Sequence, residues 1–368
     1  MDEGTGDDAV VVTEEPEEVY VPHLEWKEAI EALGYESEEW DVTTDDGWVL
    51  PLYHITNNVD PDKQDKDVLG PVLIVHGSMS SATTYADYGA SIPFQLFDEG
   101  FDVWMANMRG TKETKCAEVT EEYEDGTTVT TTVDCGEDSL FSVQDMAEKD
   151  LLAFVTYILD SNDKYSSLNL IGFSRGTLQI LVGLTSLGDE LQSKVDTAVL
   201  LAPCLYNEPS MTVQEHTAWT AWRSGVMGIN NTYPEDWDAD VEEICDIAET
   251  TDDDYLASAA AYQCAWMSVT VPMELVDWGS QDYMYQIAET DTFQKMIKRV
   301  DFEDGIRTAE ELRLSDIRST RVALYVGVAD YYCPVGSAKR LYDEIGTDMK
   351  SLVVIEYVDE DAEEEDLV

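Results

Sequence analysis

The sequence predicts an α/β fold, with a mostly parallel, doubly wound sheet, helices on both faces and one large insertion. Three observations predict it. Short, continuous apolar runs recur along the chain, as in Val72-Leu73-Ile74-Val75 and Val199-Leu200-Leu201-Ala202, the pattern of parallel strands buried on both faces. Segments with apolar residues at helical spacing separate these runs. One run leads directly into Gly172-Phe173-Ser174-Arg175-Gly176, where the pattern changes from strand to helix.

The elements follow in order. Residues 1–20 carry eight acids and no base with little periodicity, and read as an acidic, disordered arm. A short helix from about Leu24 to Leu33 stops at Gly34. Trp40–Thr44 and Val49–Ile55, joined by the Asp45-Asp46-Gly47 turn, form an antiparallel hairpin at the sheet edge. Strands Val72–His76, Val103–Ala106, Leu168–Phe173, Thr197–Ala202, Arg321–Gly327 and Leu352–Val358 complete an eight-stranded sheet. Helices Met146–Leu159, Thr177–Leu187 and Val335–Ile345 fall between them. Residues 21–204 and 316–358 thus make two parts of one core, followed by an acidic tail at 359–368.

Residues 205–315 break the rhythm. The stretch is too long for a connection and holds Trp219, Trp222, Trp237, Trp266 and Trp278. It reads as a cap inserted over the carboxyl ends of the strands, its tryptophans lining a lipid site or forming the cap's own core.

Charge limits the partners. Against 21 basic residues stand 78 acidic ones, a net charge of −57 over 368 residues. Nucleic acid and anionic membranes are disfavoured, because their phosphates are repelled. No run approaches the roughly 18 apolar residues of a membrane span. Neither is there an apolar leader after Met1, which implies a cytoplasmic chain or a mature form. Cys116 and Cys135 bracket β-rich arms around Asp125-Gly126, a hairpin that would bring them together, and Cys245 with Cys264 can clip a second excursion. Six cysteines allow 15 pairings, and six thiols remain the alternative.

The chemistry centres on Gly172-x-Ser174-x-Gly176, the nucleophile elbow of α/β-hydrolases. Serine on a sharp strand-to-helix turn projects its hydroxyl above the sheet. Glycines two residues to either side let backbone pass close to backbone. Upstream, Val75-His76-Gly77-Ser78 ends a strand where such enzymes build the other half of an oxyanion hole. The N–H groups of Ser78 and Arg175 are the expected donors, with His76 and Gly77 shaping the loop. Asp330, three residues beyond Gly327 at a late strand end, suits the triad acid in the order Ser…Asp…His. The four histidines, His23, His54, His76 and His216, all precede it, and no histidine follows the last strand. A serine without a base stays weakly nucleophilic. The mechanism calls for no metal and no cofactor.

Together these residues resemble the gastric and lysosomal acid lipases. The likeness runs from Leu33-Gly34-Tyr35 through Trp40, Val42-Thr43-Thr44-Asp45-Asp46-Gly47-Trp48, Val75-His76-Gly77-Ser78 and Gly100-Phe101-Asp102 to Asn107-Met108-Arg109-Gly110. It continues in Asp145-Met146-Ala147, Asp150-Leu151, the elbow, Asp277-Trp278-Gly279-Ser280 and the Asp330 strand, covering roughly residues 30–358. The resemblance implies hydrolysis of neutral-lipid esters, triacylglycerols or sterol esters, in a secreted or lysosomal setting. It maps the nucleophile to Ser174 and the acid to Asp330. Phe173 and Arg175 stand where the family has His and Gln, and acidic residues stand where its last histidine lies. The alternative function is a catalytically impaired homologue that serves as a lipid-binding or structural subunit.

Overall fold

The computed structural model describes residues 26–58, 69–77, 80–87, 91–111, 114–122, 128–132, 141, 143–203, 205, 297–301, 307–328, 330 and 333–356. In chain order the strands are β1 (Tyr35–Thr43), β2 (Trp48–Asn58), β3 (Pro71–Val75), β4 (Asp102–Ala106), β5 (Lys115–Cys116), β6 (Glu118–Glu122) and β7 (Thr128–Thr132). They continue with β8 (Leu168–Phe173), β9 (Val195–Leu201), β10 (Ile297–Asp301), β11 (Arg307–Glu311), β12 (Arg321–Gly327) and β13 (Lys350–Ile355). The main sheet runs β1-β2-β4-β3-β8-β9-β12-β13, with β5 paired to β2 as a ninth member beyond the expected eight. From β4 to β13 every pairing is parallel, while β2 runs antiparallel to both neighbours on the path.

Alternation along the strands explains the two layers. In β3, Leu73 and Val75 enter one core, together with Leu170, Ala198, Leu200, Val322 and Leu324. Val72 and Ile74 enter the other, with Val103, Met105 and Ile171. A strand points successive side chains to opposite faces, so a run buried on both sides must be apolar throughout. The first core is closed by helices from one side of the sheet, the second by α1 (Trp26–Ala32) and α2 (Ile92–Asp98), through Ala29, Ile30 and Phe94. The helices of the first core are α3 (Leu152–Asp160), α4 (Arg175–Ser186) and α5 (Val335–Glu344), which contribute Phe154, Leu181 and Leu341.

One departure from regular helix was not foreseen. The expected helix Met146–Leu159 begins as a π-helical stretch, Met146–Leu151, before settling into α3. Such wider turns often mark sites where a helix carries a special side chain, and this one places Asp150 in the interior. The arms on either side of Asp125-Gly126 do form a ribbon, β6 with β7, whose turn lies outside the described residues. Cys116 and Cys333 are each disulfide-bonded, which rules out six free thiols. Cys135, Cys204, Cys245 and Cys264, and so the expected pairings, lie outside the described residues.

Most of the expected cap, the acidic arm and the acidic tail also lie outside them. Within 205–315, β10 and β11 pair as an antiparallel ribbon, and Leu314 has already returned to the first core.

Candidate active site

The sheet has one point where the chain changes direction of winding. From β3 it steps to β4 on one side, then crosses to β8 and proceeds outward on the other. In open α/β sheets, ligands bind beyond the carboxyl ends of strands at such a point. The residues leaving β3 and β8 there are His76-Gly77 and Ser174.

Ser174 sits between β8 and α4 with φ 50° and ψ −113°. Backbone on the left-handed side is costly for a side chain and persists where its surroundings impose it. Three contacts impose it. The Ser174 N–H donates to Leu201 O on β9 at 3.0 Å. Thr177 donates to Ser174 O twice, through its N–H at 3.0 Å and its hydroxyl at 2.6 Å. The elbow glycines allow the tight crossing: a Cβ on Gly172 would lie 2.7 Å from Gly176 C and O, and one on Gly176 would lie 2.5 Å from Val75 O. Elbow and β3 therefore touch through backbone, and any side chain would push them apart.

Gly77 brings the oxyanion-side loop against the nucleophile. Its absent Cβ would lie 3.2 Å from Ser174 Cβ and 3.1 Å from the Phe173 ring. Phe173 itself is 44% exposed, an apolar face beside the serine. Ser78 lies outside the described residues. Arg175 is the first residue of α4, and its side chain is buried.

His76 is fully buried. Its Nδ1 lies 2.8 Å from Gly77 O, and its Nε2 lies 3.2 Å from the Met108 N. A carbonyl can only accept and a peptide N–H can only donate, so the imidazole is neutral with its proton on Nδ1. Burial, reinforced by the Arg175 charge, pushes its pKa down to about 3. His76 thus fixes loop geometry and has neither nitrogen spare for Ser174.

The 107–111 segment after β4 holds this loop at both ends. Met108 N–H meets His76, and the Asn107 side-chain oxygen accepts from Ala82 N–H at 2.7 Å. The next residue, Arg109, anchors the segment. It reaches Asp150 through Nε at 2.8 Å and Nη2 at 2.6 Å, and Asp46 through Nη1 at 2.9 Å. Its guanidinium also lies 5.3 Å from the Trp48 ring centre. Burial pushes Asp150 up to about 6 against the pull of Arg109. Burial alone would raise Asp46 too, but hydrogen bonds from Arg109, Thr44 and Lys149 hold it well below the usual carboxylate range. The cluster is therefore ionised at neutral pH.

Asp330 leaves the carboxyl end of β12, one strand beyond β9 from the elbow. Its N–H donates to Gly327 O at 3.1 Å, and its Oδ1 accepts from Cys333 N–H at 2.8 Å. Of the histidines, His54 lies on β2, 2.6 Å from Asp102 and stacked on Trp104. His23 and His216 lie outside the described residues. Sequence reasoning missed Asn107, Met108, Arg109, Asp150 and Asp46 as a unit. The Asn-Met-Arg-Gly and Asp150 segments were visible, but nothing in them says which of many carboxylates pairs with which cation.

A parallel sheet with a strained serine at its winding reversal defines the α/β-hydrolase class. The family described as "alpha/beta hydrolase fold" matches residues 70–249, and the "partial alpha/beta-hydrolase lipase region" matches residues 26–88. These two matches together span residues 26–249 and support an acid-lipase-like α/β-hydrolase family for the chain. It is 30% identical over 188 residues to sterol esterase 2 of Saccharomyces cerevisiae, 48% of this chain and 32% of that protein. It is 29% identical over 175 residues to the gastric triacylglycerol lipase of Rattus norvegicus, 46% of this chain and 40% of that protein. The match therefore spans two fifths or less of these relatives' length. Among solved structures, the Lip1 protein of Acinetobacter baumannii AYE aligns over 90% of this chain and 86% of that chain, with 11% identity and a TM-score of 0.50, a likeness of fold.

Proposed function

We propose that the chain is a lipase-like carboxylic ester hydrolase acting on neutral lipids such as triacylglycerols or sterol esters. The observation that carries this is Ser174, held at positive φ where the sheet reverses its winding. In the proposed reaction, Ser174 Oγ attacks the ester carbonyl, and N–H groups of Arg175 and Ser78 receive the charge on its oxygen. Asp330 would orient and support an imidazole, supplied by neither His54 nor His76, that takes the serine proton and returns it to the leaving alcohol. Water then releases the acid from the acyl-enzyme. The exposed ring of Phe173 offers an apolar contact for the acyl or sterol part. Relatives named as a sterol esterase and a triacylglycerol lipase support this substrate class. The disulfide bonds of Cys116 and Cys333 support an oxidising, secreted or lysosomal-type compartment.

One observation favours a second reading, a lipid-binding or structural homologue with little activity. Both described histidines are committed elsewhere, His76 to the loop and His54 to Asp102. Fluorophosphonate labelling separates the two. Rapid, stoichiometric modification of Ser174, abolished in Ser174→Ala, supports the hydrolase. The second reading is supported if the 368-residue polypeptide does not react and reaction appears when a relative's His-bearing carboxyl-terminal segment is grafted after Val358.

A further inference from the structure

The buried cluster around Arg109 touches neither Ser174 nor Asp330 in any described contact, yet it ends at the oxyanion side of the site. Three segments distant in sequence converge there: the β1–β2 turn at Asp46, the post-β4 segment at Arg109 and the π-helical turn at Asp150. Both Arg109 and Asp150 are buried, 2% and 0% exposed. A buried ion pair is weak evidence for stability, since desolvation consumes most of its attraction. It does, however, fix geometry, because an arginine fork shared between carboxylates tolerates little displacement.

What it fixes is the 107–111 segment. Arg109 contributes its backbone as well, its N–H donating to Asp150 at 3.1 Å. Thr111 closes the turn, its N–H and hydroxyl both donating to Met108 O. The two residues before Arg109 then hold the 76–82 loop at its two ends, Met108 on His76 and Asn107 on Ala82. Gly77, between those ends, packs on Ser174. Arg109 is thus linked, through Met108 and Asn107, to His76 and Ala82 on either side of the Gly77 that faces Ser174.

We propose that Arg109 is a positioning residue for the oxyanion side of the site, seated by Asp150 and Asp46 and acting through Met108 on His76 and Asn107 on Ala82, a role that rests on the proposed use of Ser78 as an oxyanion donor. Lysine cannot replace it. A single ammonium has no fork to span Asp150 and Asp46, so Arg109→Lys keeps the charge and loses the placement.

Hydrogen exchange read by mass spectrometry tests this without requiring turnover. In Arg109→Lys, peptides covering 76–82 and 107–111 exchange at least about 10-fold faster, while those covering Leu168–Phe173 keep the wild-type rate. Nitrogen-15 spectra of the four labelled histidines show the Nδ1–H form of His76 giving way to a mixture. Asp46→Asn, a change nearer the surface, moves both readouts the same way to a smaller extent, and serves alone if Arg109→Lys does not fold. Unchanged loops, or equal acceleration in all three peptides, overturns the proposal. Where wild-type Ser174 reacts with a fluorophosphonate, Arg109→Lys slows the reaction at least about 10-fold. A wild type that does not react counts against the hydrolase reading and leaves the exchange result to decide the role of Arg109.

Discussion

Ser174 and Ala202 are the two residues other than glycine that adopt positive φ among the described residues, at 50° and 49°, and they are bonded to adjacent strands in series. Ser174 N–H donates to Leu201 O, and Ala202 N–H donates to Tyr325 O at 2.9 Å, which ties the elbow through β9 to β12, the strand that Asp330 follows. The strain at Ala202 is the cost of letting β9 end at that bond.

Ala202 therefore has a predictable ranking of substitutions. Left-handed backbone costs an L-residue about 1–2 kcal/mol, while glycine loses about 0.4–1 kcal/mol through the freer unfolded chain. Ala202→Gly leaves the urea midpoint unchanged or raises it. Ala202→Val lowers it, because a branched Cβ fits positive φ worst. Glycine measuring as the least stable of the three would refute the strain at this position.

Two glycines separate crowding from conformation. Gly176→Ala sets a methyl against Val75 O and His76 O, backbone that cannot move without dismantling β3, and costs more than about 2–3 kcal/mol. Gly188, at φ +55° with nothing near its absent Cβ, has only the conformational cost, and Gly188→Ala loses about 1 kcal/mol. Chemical denaturation of the two variants checks the order, and comparable losses would contradict it.

His76 makes stability fall with acid. Its pKa drops from 6.5 to about 3 on folding, so between those values the unfolded chain binds a proton that the folded chain refuses. Its contribution is complete above pH 6.5 and is lost as pH falls towards 3. Asp150, raised to about 6 from 3.8, has the opposite sign. Its folded form holds the extra proton, and stability is lost as pH rises through that window. His76→Gln removes the first slope and leaves the second. The stability advantage of wild type over the variant shrinks by roughly 2–3 kcal/mol between pH 6.5 and 4.5, at about 1.4 kcal/mol per unit. A pH-independent difference in urea midpoints would exclude this assignment.

Screening should stabilise the fold. With a net charge of −57, neighbouring carboxylates repel at the Debye length of about 8 Å in 0.15 M salt and hardly at about 3 Å in 1 M. The melting temperature rises from low to molar sodium chloride, and a flat or falling curve would count against charge repulsion as a limit on stability. Sulfate would obscure the comparison by strengthening hydrophobic burial.

Strands were legible where both faces are buried, because a continuous apolar run such as Val72-Leu73-Ile74-Val75 reads as a parallel strand covered on both sides. Ends were less so. The run Thr197–Ala202 looks uninterrupted, yet β9 stops at Leu201; Pro203 biases Ala202 towards extended backbone, so the sequence gives no hint of the positive φ that Ala202 adopts. The π-helical turn is hidden because six residues are too few to tell a wider turn from an ordinary one. Ser174, Gly172 and Gly176 were legible because the elbow needs those types at that spacing. Asp46, Arg109 and Asp150 were not, because their meeting depends on the packing of three separate segments.

The pairing of β9 with β12 also sets a timetable. β9 ends at Leu201 and β12 begins at Arg321, so on a ribosome adding ~5–20 residues per second the edge of β9 waits about 6–24 s for its neighbour. During that interval a nascent chain offers an unpaired parallel edge, the kind that recruits strands from other chains. Like charge on chains of net charge −57 opposes such recruitment.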